Sequence, residues 1–168
     1  MSEEAENWIE NDRNIHSLQE HKLETKVNPD DIAKRVCDMV AAYNRHDIEP
    51  YIAMYAPDVA VYDSLFPEII KGREVVRERN EAFQKACPDL ELKILNMSVQ
   101  GDVMALELML IGTFKGPLEL SGDTMPPTGR HFEQRSGVFG RLNSKGLITE
   151  VHNYHNPAAL LQQLGIKE

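Results

Sequence analysis

The sequence has few residues that could cross-link a small fold. It contains two cysteines, Cys37 and Cys87, in 168 residues. A chain of this length buries about 70% of its unfolded surface on folding, so it needs neither a disulfide nor a structural metal. Both cysteines are therefore predicted to be reduced, buried and apolar in character.

Long apolar segments are also scarce. The longest apolar run, residues 103–112, is interrupted by Glu107, and it is much shorter than the roughly 20 residues that span a bilayer. The first residues are acidic, whereas a signal peptide begins with positive charge. We therefore expect no membrane partner and a cytoplasmic location.

The sequence has fewer basic than acidic residues. The 18 lysines and arginines face 27 acidic residues, which gives a net charge of −9. This balance disfavours nucleic acid and anionic membranes as partners. The hydrophobic fraction of 42% and the length are typical of a single soluble domain.

Part of the negative charge is concentrated at the start of the chain. Residues 1–28 contain seven acidic and three basic side chains and no glycine or proline. They are predicted to form an acidic extension in front of a domain that spans residues 29–168. The arm is either solvated or docked through Trp8, Ile15 and Leu18.

Helical patterns dominate the first part of the domain. Asn28 and Pro29 mark a helix start, and apolar residues at helical spacing continue up to Tyr43. A shorter helix is predicted to end at Ala56-Pro57, and a third runs from Gly72 to about Ala86.

Strand patterns dominate the rest. A first strand is predicted at residues 58–63, and the apolar period becomes two from Leu90 onward, with strands at 90–99, 103–115, 130–142 and 147–155. Residues 116–129 are predicted to be a long loop, and Pro157–Leu164 a closing helix. Such segregation predicts an α+β fold with helices packed on one face of a curved antiparallel sheet.

Several short motifs resemble a known family. They are Ala56-Pro57-Asp58, Lys71-Gly72-Arg73-Glu74, Pro88-Asp89-Leu90, Met125-Pro126-Pro127-Thr128-Gly129-Arg130 and Leu160-Leu161-Gln162-Gln163-Leu164-Gly165. In this order they resemble the SnoaL-like polyketide cyclases, a branch of the NTF2-like cone-fold proteins. The resemblance implies a deep cavity between the helices and the sheet, no cofactor, no metal, and a homodimer through the outer sheet face.

The resemblance also assigns positions to site residues. The catalytic Asp of these cyclases, on the last strand, falls on Asn153, and a pocket His of the preceding strand falls on Val138. Ketosteroid isomerases of the wider cone-fold group carry a general-base Asp at the position of Asp63. Their hydrogen-bonding Tyr falls on Met39.

Strand alternation groups the candidate side chains. If Asn153 faces the pocket, His155 does so too, while His152 faces out, which leaves no histidine pair for a metal. Pocket-facing positions on the preceding strand are Phe132, Gln134, Ser136 and Val138, and outward positions are His131, Glu133 and Arg135. Asp63 shares a face with Val59 and Val61, so we expect desolvation to raise its pKa.

These residues predict a small enzyme that transfers a proton next to a carbonyl of an apolar molecule. Asp63 is the predicted base, Asn153 and Gln134 hold the oxyanion, and His155 returns the proton. Alternatively, Asn153 and Gln134 bond to each other, and Asp63 and His155 are ordinary hydrogen-bonded residues at strand ends.

Several further alternatives stay open. The Met39, Tyr43, Met54 and Tyr55 stripe is either core or substrate wall. The whole protein is alternatively a ligand carrier without chemistry or a hydrolase of the epoxide hydrolase type. A homodimer is expected because Ala105, Met109 and Ile111 form an apolar stripe on the outer face.

Overall fold

The computed structural model of the protein describes residues 28–66, 68–120 and 123–166. The predicted extension, residues 1–28, lies outside this range except for Asn28, and so does the docking alternative for Trp8. The division into an extension and a domain therefore stays a prediction.

Four helices lie in the described part of the chain, and they begin and end where local chemistry favours it. The side chain of Asn28 accepts the N–H of Asp30 at 2.9 Å and caps the first helix. Asn156 caps the last one, which ends at Gly165 with a φ of 71°. The helices are α1 (Pro29–Asn44), α2 (Ile48–Ile52), α3 (Arg73–Ala86) and α4 (Pro157–Leu164).

A sheet lies against these helices. The strands in the described part of the chain are β1 (Tyr55–Asp63), β2 (Ile70–Lys71), β3 (Glu91–Gln100), β4 (Val103–Thr113), β5 (Leu118–Leu120), β6 (Asp123–Met125), β7 (His131–Leu142) and β8 (Ile148–Tyr154). Six of them form the sheet in the order β2-β1-β8-β7-β4-β3, and every neighbouring pair is antiparallel except β1 and β8, which run parallel. β5 and β6 form a separate hairpin.

The predicted boundary between the second helix and the first strand is wrong. α2 ends at Ile52, and β1 already begins at Tyr55, which pairs with Ile148. The register of this pairing shifts between Tyr55 and Ala60. Such an irregularity tolerates Pro57, which has no N–H for the ladder.

Two short pieces of sheet were not predicted. β2 is only two residues long, too short for any periodicity, and it pairs Ile70 with Val61. The predicted loop at 116–129 contains the β5–β6 hairpin. The main strands and the fold class are confirmed.

Side chains alternate across the sheet as predicted. Phe132, Gln134 and Ser136 are buried, whereas His131, Glu133 and Arg135 are exposed. The helices cover the buried face, so the core lies between the two layers. No helix within the described residues is long and apolar enough to cross a membrane.

The prediction that both cysteines are buried is wrong for Cys37. Cys87 is buried, but Cys37 is exposed. On α1, Cys37 lies one residue after the buried Val36, and it shares a face with the exposed Ala41. One residue corresponds to a turn of about 100° around a helix, which carries Cys37 away from the core.

Candidate active site

A cavity of about 390 Å³ lies between the helices and the concave face of the sheet. Most of its wall is apolar, with Val61, Leu108, Leu110 and Phe132 among its members. Its volume is within the range of small-molecule pockets. Its polar members come from the ends of β1 and β8, from β7, from α3 and from three tyrosines.

The parallel pairing of β1 with β8 assembles the polar cluster. Asp63, the last residue of β1, stands opposite Asn153 of β8. The turn after β1 holds the end of β8 in place, because the hydroxyl of Ser64 accepts the backbone N–H of His155 at 2.8 Å. Asp63, Asn153 and His155 therefore meet in the cavity wall although some 90 residues separate Asp63 from the other two.

Three groups surround the carboxylate of Asp63. Its Oδ1 accepts the backbone N–H of Leu65 at 2.9 Å. Its Oδ2 accepts a side-chain N–H of Asn153 at 3.1 Å and lies 3.5 Å from Nε2 of His155. The side chains of Asp63 and His155 are each only 11% exposed.

The predicted raised pKa of Asp63 is wrong in direction. Burial by itself raises this pKa, but the hydrogen bond and charge of His155, the N–H of Leu65 and the amide of Asn153 together lower it below its ordinary value of 3.8. Alternation along a strand reveals burial, but it cannot show which donors a distant strand supplies. Asp63 is therefore ionised at neutral pH.

Asn153 and Gln134 do not bond to each other. Asn153 donates to Asp63, and Gln134 donates to the backbone carbonyl of Asn156 at 3.1 Å. Gln134 is only 4% exposed, and its Oε1 has no hydrogen-bond partner among the described residues. The cavity wall contains Ser136 and Val138 from the same strand but not Gln134.

Three tyrosines form another part of the wall. Tyr43 and Tyr55 lie there together with Tyr51 of α2, a residue to which no sequence pattern assigned a role. The hydroxyls of Tyr51 and Tyr55 are 3.0 Å apart. Burial raises the pKa of both, and the nearby charge of Asp63 adds to the rise for Tyr51. Both hydroxyls therefore keep their protons at neutral pH.

Arg79 is a second wall residue that no sequence pattern singled out. It lies on α3, and its guanidinium carbon is 4.3 Å from the centroid of the Phe66 ring. An exposed arginine on a helix gives no sequence signal of its own. Only the packing of the turn after β1 against α3 brings it to the cavity.

Two other titratable side chains, those of Cys87 and His152, lie where they are not suited to catalysis in the cavity. Cys87 lies in the wall, and burial raises its pKa to about 12, so its thiol is not a nucleophile at neutral pH. His152 lies on the outer sheet face, where it stacks on Tyr62 at 4.5 Å. His152 and His155 thus face opposite sides, as alternation predicts.

The family model for SnoaL-like polyketide cyclases matches residues 34–164. The protein therefore belongs to the SnoaL-like polyketide cyclase family. A comparison with curated proteins gives no match.

Solved structures support the same fold. AclR from Streptomyces galilaeus, named as a hydroxylase, is 27% identical over 82% of this chain and 98% of its own, with a TM-score of 0.68. A Catenulispora acidiphila protein with a ketosteroid isomerase-like fold is 18% identical over 79% of this chain and 93% of its own, with a TM-score of 0.64. The predicted NTF2-like fold is confirmed.

A third structure contains a bound steroid. RV0760c from Mycobacterium tuberculosis, in complex with estradiol-17β-hemisuccinate, is 24% identical over 76% of this chain and 95% of its own, with a TM-score of 0.60. At that identity the likeness concerns the fold.

Proposed function

We propose that the protein is a cofactor-independent enzyme that moves a proton at the carbon beside a carbonyl group, as a cyclase, isomerase or lyase does. The observation that carries this proposal is an ionised carboxylate, Asp63, in the wall of a largely apolar cavity. A base in that position faces a bound molecule and is shielded from bulk water.

Asp63 is the proposed base. The hydrogen bonds from Asn153 and Leu65 hold its carboxylate in one orientation. His155, at 3.5 Å, favours the charged form, and it is the group that we propose to return the proton. Because its pKa is lowered, Asp63 is a weaker base than a desolvated one, so the reaction depends on stabilisation of the enolate.

We propose that Tyr51 and Tyr55 supply this stabilisation. Two hydroxyls that share one hydrogen bond have one O–H left to donate to a ligand. Their raised pKa values keep that proton in place at neutral pH. We assign them this role instead of Gln134, whose amide donates to Asn156.

The proposed substrate is an apolar molecule that carries a carbonyl group. The apolar wall and the cavity volume of about 390 Å³ support this class. The steroid in RV0760c, a protein of the same fold, supports ring systems in particular. An epoxide hydrolase of the Asp-Arg-Asp type needs two carboxylates, and among the described wall residues Asp63 alone has one.

A ligand carrier without chemistry is the second candidate. It is favoured by the contacts of Asp63, because both carboxylate oxygens already accept hydrogen bonds from the protein itself. Asn153 also stands where the cyclases have their catalytic Asp. A carrier would bind the same class of molecule and leave it unchanged.

Proton abstraction is tested by hydrogen–deuterium exchange of 2-tetralone and of a 3-ketosteroid in D₂O, followed by NMR. Asp63→Asn should slow the exchange at the carbon beside the carbonyl by at least about 100-fold, because an amide cannot accept the proton. Asp58→Asn is the matched control, since Asp58 lies on the same strand and is exposed.

The outcomes separate the candidates. Full exchange in Asp63→Asn removes Asp63 from the mechanism. Binding of both ketones without exchange above the protein-free rate favours the carrier. In the enzyme, the acid limb of the exchange rate should have its midpoint below pH 3.8, because Asp63 must be ionised to act.

We also propose a homodimer through the outer face of the sheet. Phe139 and Tyr154 are 50% and 56% exposed there, with their rings 6.0 Å apart. Large apolar rings exposed side by side are typical of interfaces. The cytoplasmic location stays a prediction.

A further inference from the structure

We infer that Arg79 is an anion-binding site at the cavity, and that the substrate carries a carboxylate beside its apolar body and carbonyl. This inference rests on the proposed function, because it narrows the substrate class of the same cavity. Arg79 is the only described wall residue with a permanent positive charge.

The guanidinium of Arg79 is held in place without being neutralised. Its guanidinium carbon lies 4.3 Å from the centroid of the Phe66 ring, and a cation–π contact of this kind does not neutralise the charge. Within the described residues, no carboxylate lies within 4.0 Å of it and no acceptor bonds to it.

The neighbouring arginines on α3 show the contrast. Arg77 forms ion pairs with Glu49 and Glu74, and Arg73 lies 3.7 Å from Glu74. These two cations are paired on the outer surface, whereas the cation that borders the cavity is not. A free planar guanidinium matches a carboxylate in a bidentate geometry.

Arg79 and Asp63 also lie at different depths of the cavity. Arg79 is exposed, so it lies at the mouth, whereas Asp63 is almost buried. A carboxylate on Arg79 would remain partly hydrated, which avoids the cost of burying it. The apolar body would then extend inward, with its carbonyl towards Asp63 and the two tyrosines.

The experiment compares an acid with its neutral ester. The probes are anthraquinone-2-carboxylate and its methyl ester, and binding to the full chain is measured by calorimetry. Arg79→Gln should weaken binding of the acid about five- to tenfold. The effect is modest because Arg79 is exposed to solvent, which screens its attraction for a carboxylate. Binding of the ester should change less than twofold.

Arg45→Gln is the matched control. Arg45 is exposed at the end of α1 and does not line the cavity, so its loss changes the net charge equally. The inference is overturned if Arg79→Gln weakens acid and ester alike, if Arg45→Gln has the same effect as Arg79→Gln, or if the parent binds neither probe.

The result is independent of catalysis. Exchange of neutral ketones depends on Asp63 and does not require Arg79. The protein can therefore lose its preference for the acid over the ester while proton abstraction persists. It can equally lose proton abstraction and keep that preference. The two proposals fail on different measurements.

Discussion

At the residue scale, Asn153 connects the carboxylate of Asp63 to the last strand. It donates to Asp63 at 3.1 Å, and this bond is one of the contacts that lower the pKa of Asp63. A lowered pKa means that the folded state favours the charged carboxylate. The stabilisation is therefore present above the ordinary pKa of 3.8 and is lost as the pH falls through the folded value.

Asn153→Asp should reverse this dependence. Two carboxylates side by side raise the pKa of one of them, so the folded variant is destabilised once both are ionised. We expect its melting temperature to lie about 4 to 8 °C below that of Asn153→Ala at pH 7, a difference of about 2 kcal/mol. The gap should shrink at pH 4, where one carboxylate is protonated.

Asn153→Ala separates the two effects, because it removes the hydrogen bond without adding a charge. Melting is followed by circular dichroism at both pH values. A gap that is equal at pH 7 and pH 4 would mean that the second carboxylate does not sense Asp63.

Strand alternation in the sequence predicted most of the residues that face the cavity, with the exception of Gln134, but not how they bond. Alternation along the predicted strands 130–142 and 147–155 correctly placed Ser136, Val138 and His155 in the wall. It could not show that Gln134 turns to the carbonyl of Asn156, because that contact depends on where α4 begins. The lowered pKa of Asp63 was missed because its hydrogen-bond donors come from the turn after β1 and from the end of β8, and strand alternation does not show such contacts.

At the element scale, the segment after β4 closes against the end of α3. The N–H of Gly116 donates to the carbonyl of Ala86 at 2.9 Å. A Cβ at Gly116 would lie 2.8 Å from the carbonyl oxygen of Lys85 and 3.1 Å from Cα of Ala86. Because both are backbone atoms, neither can rotate away.

Gly116→Ala should destabilise the fold by about 1 to 3 kcal/mol, the usual cost of overpacking. The free energy of unfolding is measured by urea denaturation. Gly137→Ala is the control, because the nearest atom to its added Cβ is 4.0 Å away. Equal losses in the two variants would contradict a contact-based cause.

The elements themselves were largely predictable. Long periodic segments such as α1, α3, β4 and β7 are indicated by their apolar spacing. The shorter β2 and the β5–β6 hairpin arise from pairing with neighbours, which a local pattern does not encode. Tertiary pairing also sets the start of β1 at Tyr55.

At the scale of the whole molecule, the outer face of the sheet carries a group of aromatic side chains that are not part of the cavity wall. Tyr62 stacks on His152 with an interplanar angle of 4°, and Phe139 meets Tyr154 edge to face. This aromatic face extends the predicted stripe of Ala105, Met109 and Ile111 across the sheet.

Light scattering should detect a particle of twice the chain mass of 19.1 kDa at micromolar concentration. Phe139→Lys should shift it to a monomer, because a charge at the centre of an apolar interface is costly. Val75→Lys is the control, since Val75 is 40% exposed but lies on α3. A parent particle of single-chain mass would exclude the dimer.

The parallel pairing of β1 with β8 also has a consequence for biosynthesis. Asp63 leaves the ribosome long before Asn153, and the two can meet only after all the intervening strands have been translated. Contacts of such high sequence separation are slow to form because the chain between them must first be ordered. The cluster of Asp63, Asn153 and His155 should therefore be among the last parts of the nascent protein to form, after the locally folded β3–β4 hairpin.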